Sequence, residues 1–266
     1  MQTFTMCMQC QAELGILNFL SLALVDIPES GLIETTCNRG HRTALVIQQS
    51  KFEILSEMGV RAIVNGFHRD AVFSFATSLE RLYEFFIEAV CRKQGISRDA
   101  FSVVWKQMAK QSERQLGAFL TAFLLETRNT PNMLPRKQSE FRNEVVHKGR
   151  FPTREEAVQF GIAIFNCARA PLTVLRSPAY AEIIRDLTFE RIDERSKHSL
   201  NAGLLTSTIG LVTPLSIMTA DQPEDLEEII AAYSSRPDLK RAVEEANALG
   251  EAISELININ INRNIA

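Results

Sequence analysis

The chain has little net charge of either sign. Its 29 basic and 32 acidic side chains leave a formal net charge of −3. No whole-molecule field draws in a polyanion, so any nucleic-acid contact has to come from a local basic patch. Long apolar runs are missing as well. The stretch from Leu14 to Val25 has Glu13 at its edge and Asn18 and Ser21 inside; it is too short and too polar to span a bilayer. The opening MQTFTMCMQC lacks the basic start and apolar run of a secretory signal. A cytoplasmic location without membrane association is therefore expected. There is no glycine-rich phosphate loop and no Gly-x-Ser-x-Gly elbow, so neither of those two motif-borne chemistries is signalled. Internal repeats and long low-complexity tracts are absent too.

What is present is an ordinary globular composition. With 266 residues, 45% apolar and 23% charged, the chain can bury a sizeable core without staples. Five cysteines make an odd number, and Cys7, Cys10 and Cys37 lie near the start. Without a secretory signal, this arrangement points to metal binding rather than a disulfide framework. The pairs Cys7-x2-Cys10 and Cys37-x3-His41 are separated by 26 residues. Zinc takes four sulfur and imidazole ligands tetrahedrally, and four filled positions make a closed structural site. The spacing resembles a zinc ribbon, although the usual proline and glycine of a first knuckle are missing around Cys7. Free thiols near a flexible start are the plainer alternative. Cys91 and Cys167 lie in helical patterns and read as core residues.

Three regions follow from the patterning. Residues 1–50 form the zinc-ribbon-like module, in which the runs around residues 31–36 and 42–48 read as a small β-hairpin about Gly40. Residues 51–178 read as a helical bundle. The expected helices are a short one from Lys51, a long one over His68–Lys93, one from Ser97 to about Thr127, one over Lys137–His147, and one opened by the capping box Thr153-x-x-Glu156. The phenylalanines Phe73, Phe75, Phe85 and Phe86 read as core or as a dimer interface. Residues 179–266 read as a helical C-terminal extension. Within it, Leu204–Met218 is a packed loop, a strand or a docking segment. Asp221 caps one helix and Pro237 starts the last, through about Leu256. Residues 257–262 alternate Ile and Asn, a strand pattern on a segment that could equally fray.

Within the bundle, Arg142, Asn143 and His147 stand out. On a helix Asn143 and His147 share a face at i and i+4, with Arg142 about 100° round. Histidine suits proton transfer near neutral pH. Arginine offers a permanent forked cation for phosphate oxygens. Arg136, Lys137, Lys148, Arg150 and Arg154 make a basic patch around them, suited to an RNA backbone. Read alone, such a histidine is more often a helix cap, and Arg142 pairs with Glu144, Glu140 or Glu80. The Arg-Asn-x-x-x-His pattern, with Ser78-Leu-Glu80-Arg-Leu-Tyr83 on the long helix before it and an apolar helix after it, resembles HEPN domains over about residues 66–178. That resemblance implies a mainly α fold and a homodimer whose two motifs meet. It implies a metal-independent RNA endonuclease that leaves 2′,3′-cyclic phosphate and 5′-hydroxyl ends. Glu80 would hold Arg142, and zinc would be structural only. A toxin or anti-phage defence setting, with an antitoxin or defence-system partner, fits such enzymes. The alternatives are a non-catalytic HEPN module that binds nucleotides or partners, and a zinc-ribbon nucleic-acid-binding regulator.

Overall fold

The computed structural model describes residues 1–15, 17–218, 225–236 and 238–263, the last eleven of them without side chains. It is mainly α-helical with a small amount of sheet. The described residues form two compact units, Met1–Gln48 with Glu190–Leu211 and Arg236–Ala266, and Gln49–Phe189 with Val212–Ser235.

In the first unit, β1 (Gln2–Thr5) pairs antiparallel with β2 (Ala23–Asp26), and helix α1 (Met8–Leu14) lies between them in sequence. The expected hairpin is present as β3 (Leu32–Thr36) and β4 (Arg42–Ile47), antiparallel with Leu32 opposite Val46. A third strand, β5 (Leu205–Ile209), adds to β4 in parallel, Thr43 facing Leu205. Part of the segment with three readings, 204–218, is thus a strand. The side-chain amide of Gln48 donates to the Thr208 hydroxyl at 2.8 Å, and the guanidinium of Arg195 donates to the Ile47 carbonyl. Arg195 also packs against Gly31, whose φ of 69° favours glycine. The terminal helix α10 (Leu239–Arg263) packs on the Phe19–Ser21 turn and on β2. Its end contains the alternating Ile–Asn run, which is therefore helical and not a strand. Once a helix is nucleated, each added residue gains a backbone bond without a new nucleation cost, whereas a lone strand has to find a partner.

The second unit is the bundle. Its helices are α2 (Lys51–Val64), α3 (His68–Lys93), α4 (Arg98–Met108), α5 (Ser112–Thr127), α6 (Arg136–His147), α7 (Arg154–Leu175), the start of α8 (Ala181–Asn201) and α9 (Leu226–Ser234). Helix α3 is buried on more than one face, by Val72, Phe75, Leu79, Leu82 and Phe86 on one stripe and Phe85 and Ile87 beside it. It is the helix against which α2, α5, α6 and α7 pack. Phe75, Phe85 and Phe86 are core, whereas Phe73 is 56% exposed and lies outside it. Helix α7 is long and apolar enough to cross a membrane by composition, but it is a core helix here, with Phe160, Ile164 and Leu172 buried.

The single helix expected from Ser97 to Thr127 is interrupted at Ala109–Gln111. Neither glycine nor proline marks the break; side chains cap it instead. The Gln115 amide donates to the Ala109 carbonyl at 2.8 Å, and Arg114 donates to the Gln107 carbonyl at 3.0 Å.

The C-terminal residues do not form a separate extension. The described residues 212–218 and 225–235 belong to the bundle, where Leu215, Ile217, Leu226 and Ile229 are buried. The Ile217 amide donates to Glu53 at 3.1 Å and the Leu215 amide to the Ser56 hydroxyl at 3.1 Å. A buried backbone without strand or helix partners needs such acceptors. Asp221 and Pro237, the expected helix starts, lie outside the described residues.

The tightest packing is around Phe75. A Cβ on Gly59 of α2 would come within 2.4 Å of its ring, and one on Gly161 of α7 within 2.9 Å of it and 2.5 Å of Leu226. Replacing Gly59 by alanine overpacks this contact, with an expected loss of about 1–3 kcal/mol. Gly117→Ala, in open space on α5, is expected to be neutral or stabilising by roughly 0.5–1 kcal/mol. Urea denaturation followed by Trp105 fluorescence checks both.

Candidate functional site

Helix α6 places the motif residues. Arg142 and Asn143 lie just past its middle, and His147 is its last residue. The neighbouring α3 supplies Glu80. Of the three carboxylates open to Arg142, the structure selects this one: Arg142 Nη2 lies 2.7 Å from Glu80 Oε1. Glu140 is taken by Arg136 at 2.8 Å, and Glu144 by Arg150 at 2.5 Å. Arg142 Nη1 also donates to Asn143 Oδ1 at 3.0 Å. The guanidinium is thus held at both ends of its fork. With Arg142 and Glu80 side chains 26% and 29% exposed, the pair is partly withdrawn from water, and each hydrogen bond is charge-assisted.

Arg142, Asn143 and Glu80 line a cleft of about 260 Å³ together with Tyr83, Gln115 and Leu116. Sequence reasoning did not single out Tyr83 or Gln115 as part of a site. Tyr83 stacks on Phe119 with ring centroids 3.8 Å apart. Burial, with a smaller contribution from Cys167, pushes its phenol well above the usual range, so it is a neutral donor at physiological pH. Gln115 is engaged at both ends of its amide, accepting from Arg81 at 3.0 Å and donating to Ala109. Only the folded α3–α5 pairing brings these residues to Arg142; no local pattern marks them.

His147 stands apart from this cleft. It is exposed and takes part in no hydrogen bond or ion pair among the described residues. Near it, Arg69 of α3 donates from Nε to the Val145 carbonyl at 3.4 Å, bringing a cation to the end of α6 from 76 residues away in sequence.

No family model, curated protein or solved structure matches the chain. The HEPN resemblance accordingly rests on the motif and its setting in the bundle.

The predicted basic patch is largely neutralised. Arg150 is bound by Glu144 and by Glu156, and its guanidinium lies 5.0 Å from the Phe141 ring centroid. Arg136 pairs with Glu140, and Arg154 with Glu227 at 3.4 Å. Among the described residues of the patch, Lys137 and Lys148 are exposed and carry no carboxylate partner.

In the other unit, Cys7, Cys10, Cys37 and His41 come together, their donor atoms all within 4.8 Å of one another. The Cys10–Cys37 sulfurs are 3.8 Å apart, and His41 Nδ1 is 3.3 Å from Cys10 Sγ and 3.8 Å from Cys7 Sγ. Tetrahedral sulfurs at a zinc–sulfur distance of about 2.3 Å lie roughly 3.8 Å apart, so the set is compatible with structural zinc. The first cysteine pair is not on a knuckle between strands. Cys7 is the N-cap of α1 and its sulfur accepts from the Cys10 amide at 3.4 Å. A helix start needs no residue of positive φ, which explains the absent glycine. The second pair is on a turn closed by Gly40 at φ 81°, with the Arg39 amide 3.4 Å from Cys37 Sγ. Cys91 and Cys167 lie outside the cluster.

The Arg142–Glu80 pair is expected to be worth about 1 kcal/mol of coupling, more than an exposed pair because both ends are half-buried. A double-mutant cycle of Glu80→Ala and Arg142→Ala in urea unfolding measures it; additive effects would mean that the pair holds nothing in place.

Proposed function

We propose that the bundle is a metal-independent RNA endonuclease built on Arg142, Asn143 and His147. The observation that carries this reading is the doubly held guanidinium of Arg142 in the wall of a cleft, five residues before an exposed, uncommitted histidine on the same helix. Cleavage by 2′-hydroxyl attack needs a group to take the hydroxyl proton, a cation for the extra charge on the phosphorane, and a proton for the leaving 5′-oxygen. His147 transfers protons. Arg142, fixed before substrate arrives, stabilises the phosphorane without reorganising. Asn143 keeps its amide N–H groups for a phosphate oxygen while its oxygen holds Arg142. One histidine supplies one proton-transfer group, so a second copy supplies the other, and the active species is a homodimer. With the arginines of the patch engaged by carboxylates, Lys137, Lys148 and Arg69 hold the RNA backbone. The cysteine–histidine cluster binds structural zinc and takes no part in the chemistry. A toxin or anti-phage effector role in the cytoplasm, restrained by a partner, is the setting this activity fits.

A second reading has an observation in its favour. No side chain orients His147, and Glu80 offsets the charge of Arg142, as in a module that binds nucleotides or partners without turnover. The two are separated by incubating a cellular RNA pool with the full chain in EDTA. Wild type is expected to cleave, and Arg142→Ala and His147→Ala to lose about 100-fold or more, the range of a removed acid–base or charge-stabilising group. Undiminished cleavage by His147→Ala contradicts the assignment, and RNA binding without cleavage by wild type favours the second reading.

A further inference from the structure

The metal-ligand spacing does not reveal a fifth residue of the cysteine–histidine cluster. Helix α1 carries Cys7 at its cap, Cys10 in its first turn and Glu13 near its end. At successive intervals of three these fall along one stripe of the helix. The Glu13 carboxylate faces the turn that holds the other two ligands. Its Oε1 is 3.3 Å from His41 Nε2, and its Oε2 is 3.2 Å from Arg39 Nη2. Gln9, one turn earlier, donates to Oε1 at 3.0 Å. The two ring nitrogens of His41 are therefore divided, Nε2 toward a carboxylate and Nδ1 toward the sulfurs of Cys7 and Cys10. A neutral imidazole has one N–H and one lone pair, and a carboxylate only accepts. The proton belongs on Nε2, and the lone pair on Nδ1 points into the sulfur cluster.

We propose that Glu13 is the positioning residue of a tetrahedral zinc site, fixing the tautomer and ring orientation of His41 so that Nδ1 is the fourth ligand. Metal-bound histidines are commonly held this way through their other nitrogen. Arg39 completes the arrangement. Three thiolates around a divalent cation leave one negative charge, and Arg39 sits between Cys37 and His41 with its amide on the Cys37 sulfur and its guanidinium on Glu13. The brace ties α1 to the β3–β4 turn through side chains that do not themselves touch the metal. This inference rests on the zinc reading of the cluster.

Zinc titration of the full chain against a competing chromophoric chelator tests it, with Glu13→Gln, Glu13→Ala and Cys37→Ser beside wild type. Wild type is expected to bind one zinc. Glu13→Ala is expected to bind it about 10–100-fold more weakly. Glu13→Gln, isosteric and still an acceptor, is expected to fall between them, and Cys37→Ser to lose tight binding. Nitrogen-15 shifts of His41 in the zinc-loaded chain give a readout that a merely structural role for Glu13 would not move: a protonated Nε2 and a metal-bound Nδ1 in wild type. Equal affinity for Glu13→Ala and wild type, or zinc on Nε2, overturns the role of Glu13 while leaving the metal site standing. No zinc uptake by wild type overturns both.

Discussion

The bundle depends on the seating of Phe75 between two helices that carry glycine where they meet it. Gly59 on α2 and Gly161 on α7 leave no room for a Cβ beside the ring, and Leu226 of α9 closes on Gly161 as well. Phe165 meets the same ring edge-on at 6.0 Å. Close approach of backbone to an aromatic face gains dispersion contacts that a methyl group would push apart. It also fixes how α3 lies against its neighbours, because an interlocked ring cannot slide without meeting backbone. The other positions of α3 inherit that placement, including Glu80, five residues further along.

Glu80 transmits the constraint to α6. Its bond to Arg142 selects one guanidinium orientation out of several, and Asn143 holds the other end of the fork. The same economy of charge runs through the rest of the region. Arg136, Arg150 and Arg154 each meet a carboxylate, so an acidic chain keeps few uncompensated cations near the motif. A polyanion reaching this surface meets Lys137, Lys148, Arg69 and the pre-oriented Arg142 rather than a broad positive field. The proposed chemistry then draws more on positioning than on bulk electrostatic attraction.

Much of the bundle was legible because helical period and caps are local. The long helix from His68 to Lys93 and the capping box at Thr153 are written in residues three and four apart. Reach on and between helices limits the partner of Arg142 to three glutamates, but only the packing of α3 against α6 decides among them. What escaped the sequence depends on distant segments. Strand β5 pairs with β4 across more than 150 residues, and no alternation in five residues announces a parallel partner. The break between α4 and α5 is capped by side chains and not by glycine or proline. The metal ligands are marked by their spacing, but nothing local distinguishes a knuckle from the start of α1, and Glu13 has no motif to mark it.

His147 and Arg142 are proposed to direct the attack of a 2′-hydroxyl on its own phosphate. The most direct measurement uses an oligonucleotide that is deoxyribose throughout except for one ribose, incubated with the full chain in EDTA, with product ends identified by mass. A single cut is expected immediately 3′ of the ribose, leaving a 2′,3′-cyclic phosphate and a 5′-hydroxyl. Cleavage of the all-deoxyribose strand, or products with a 3′-hydroxyl and a 5′-phosphate, would contradict it.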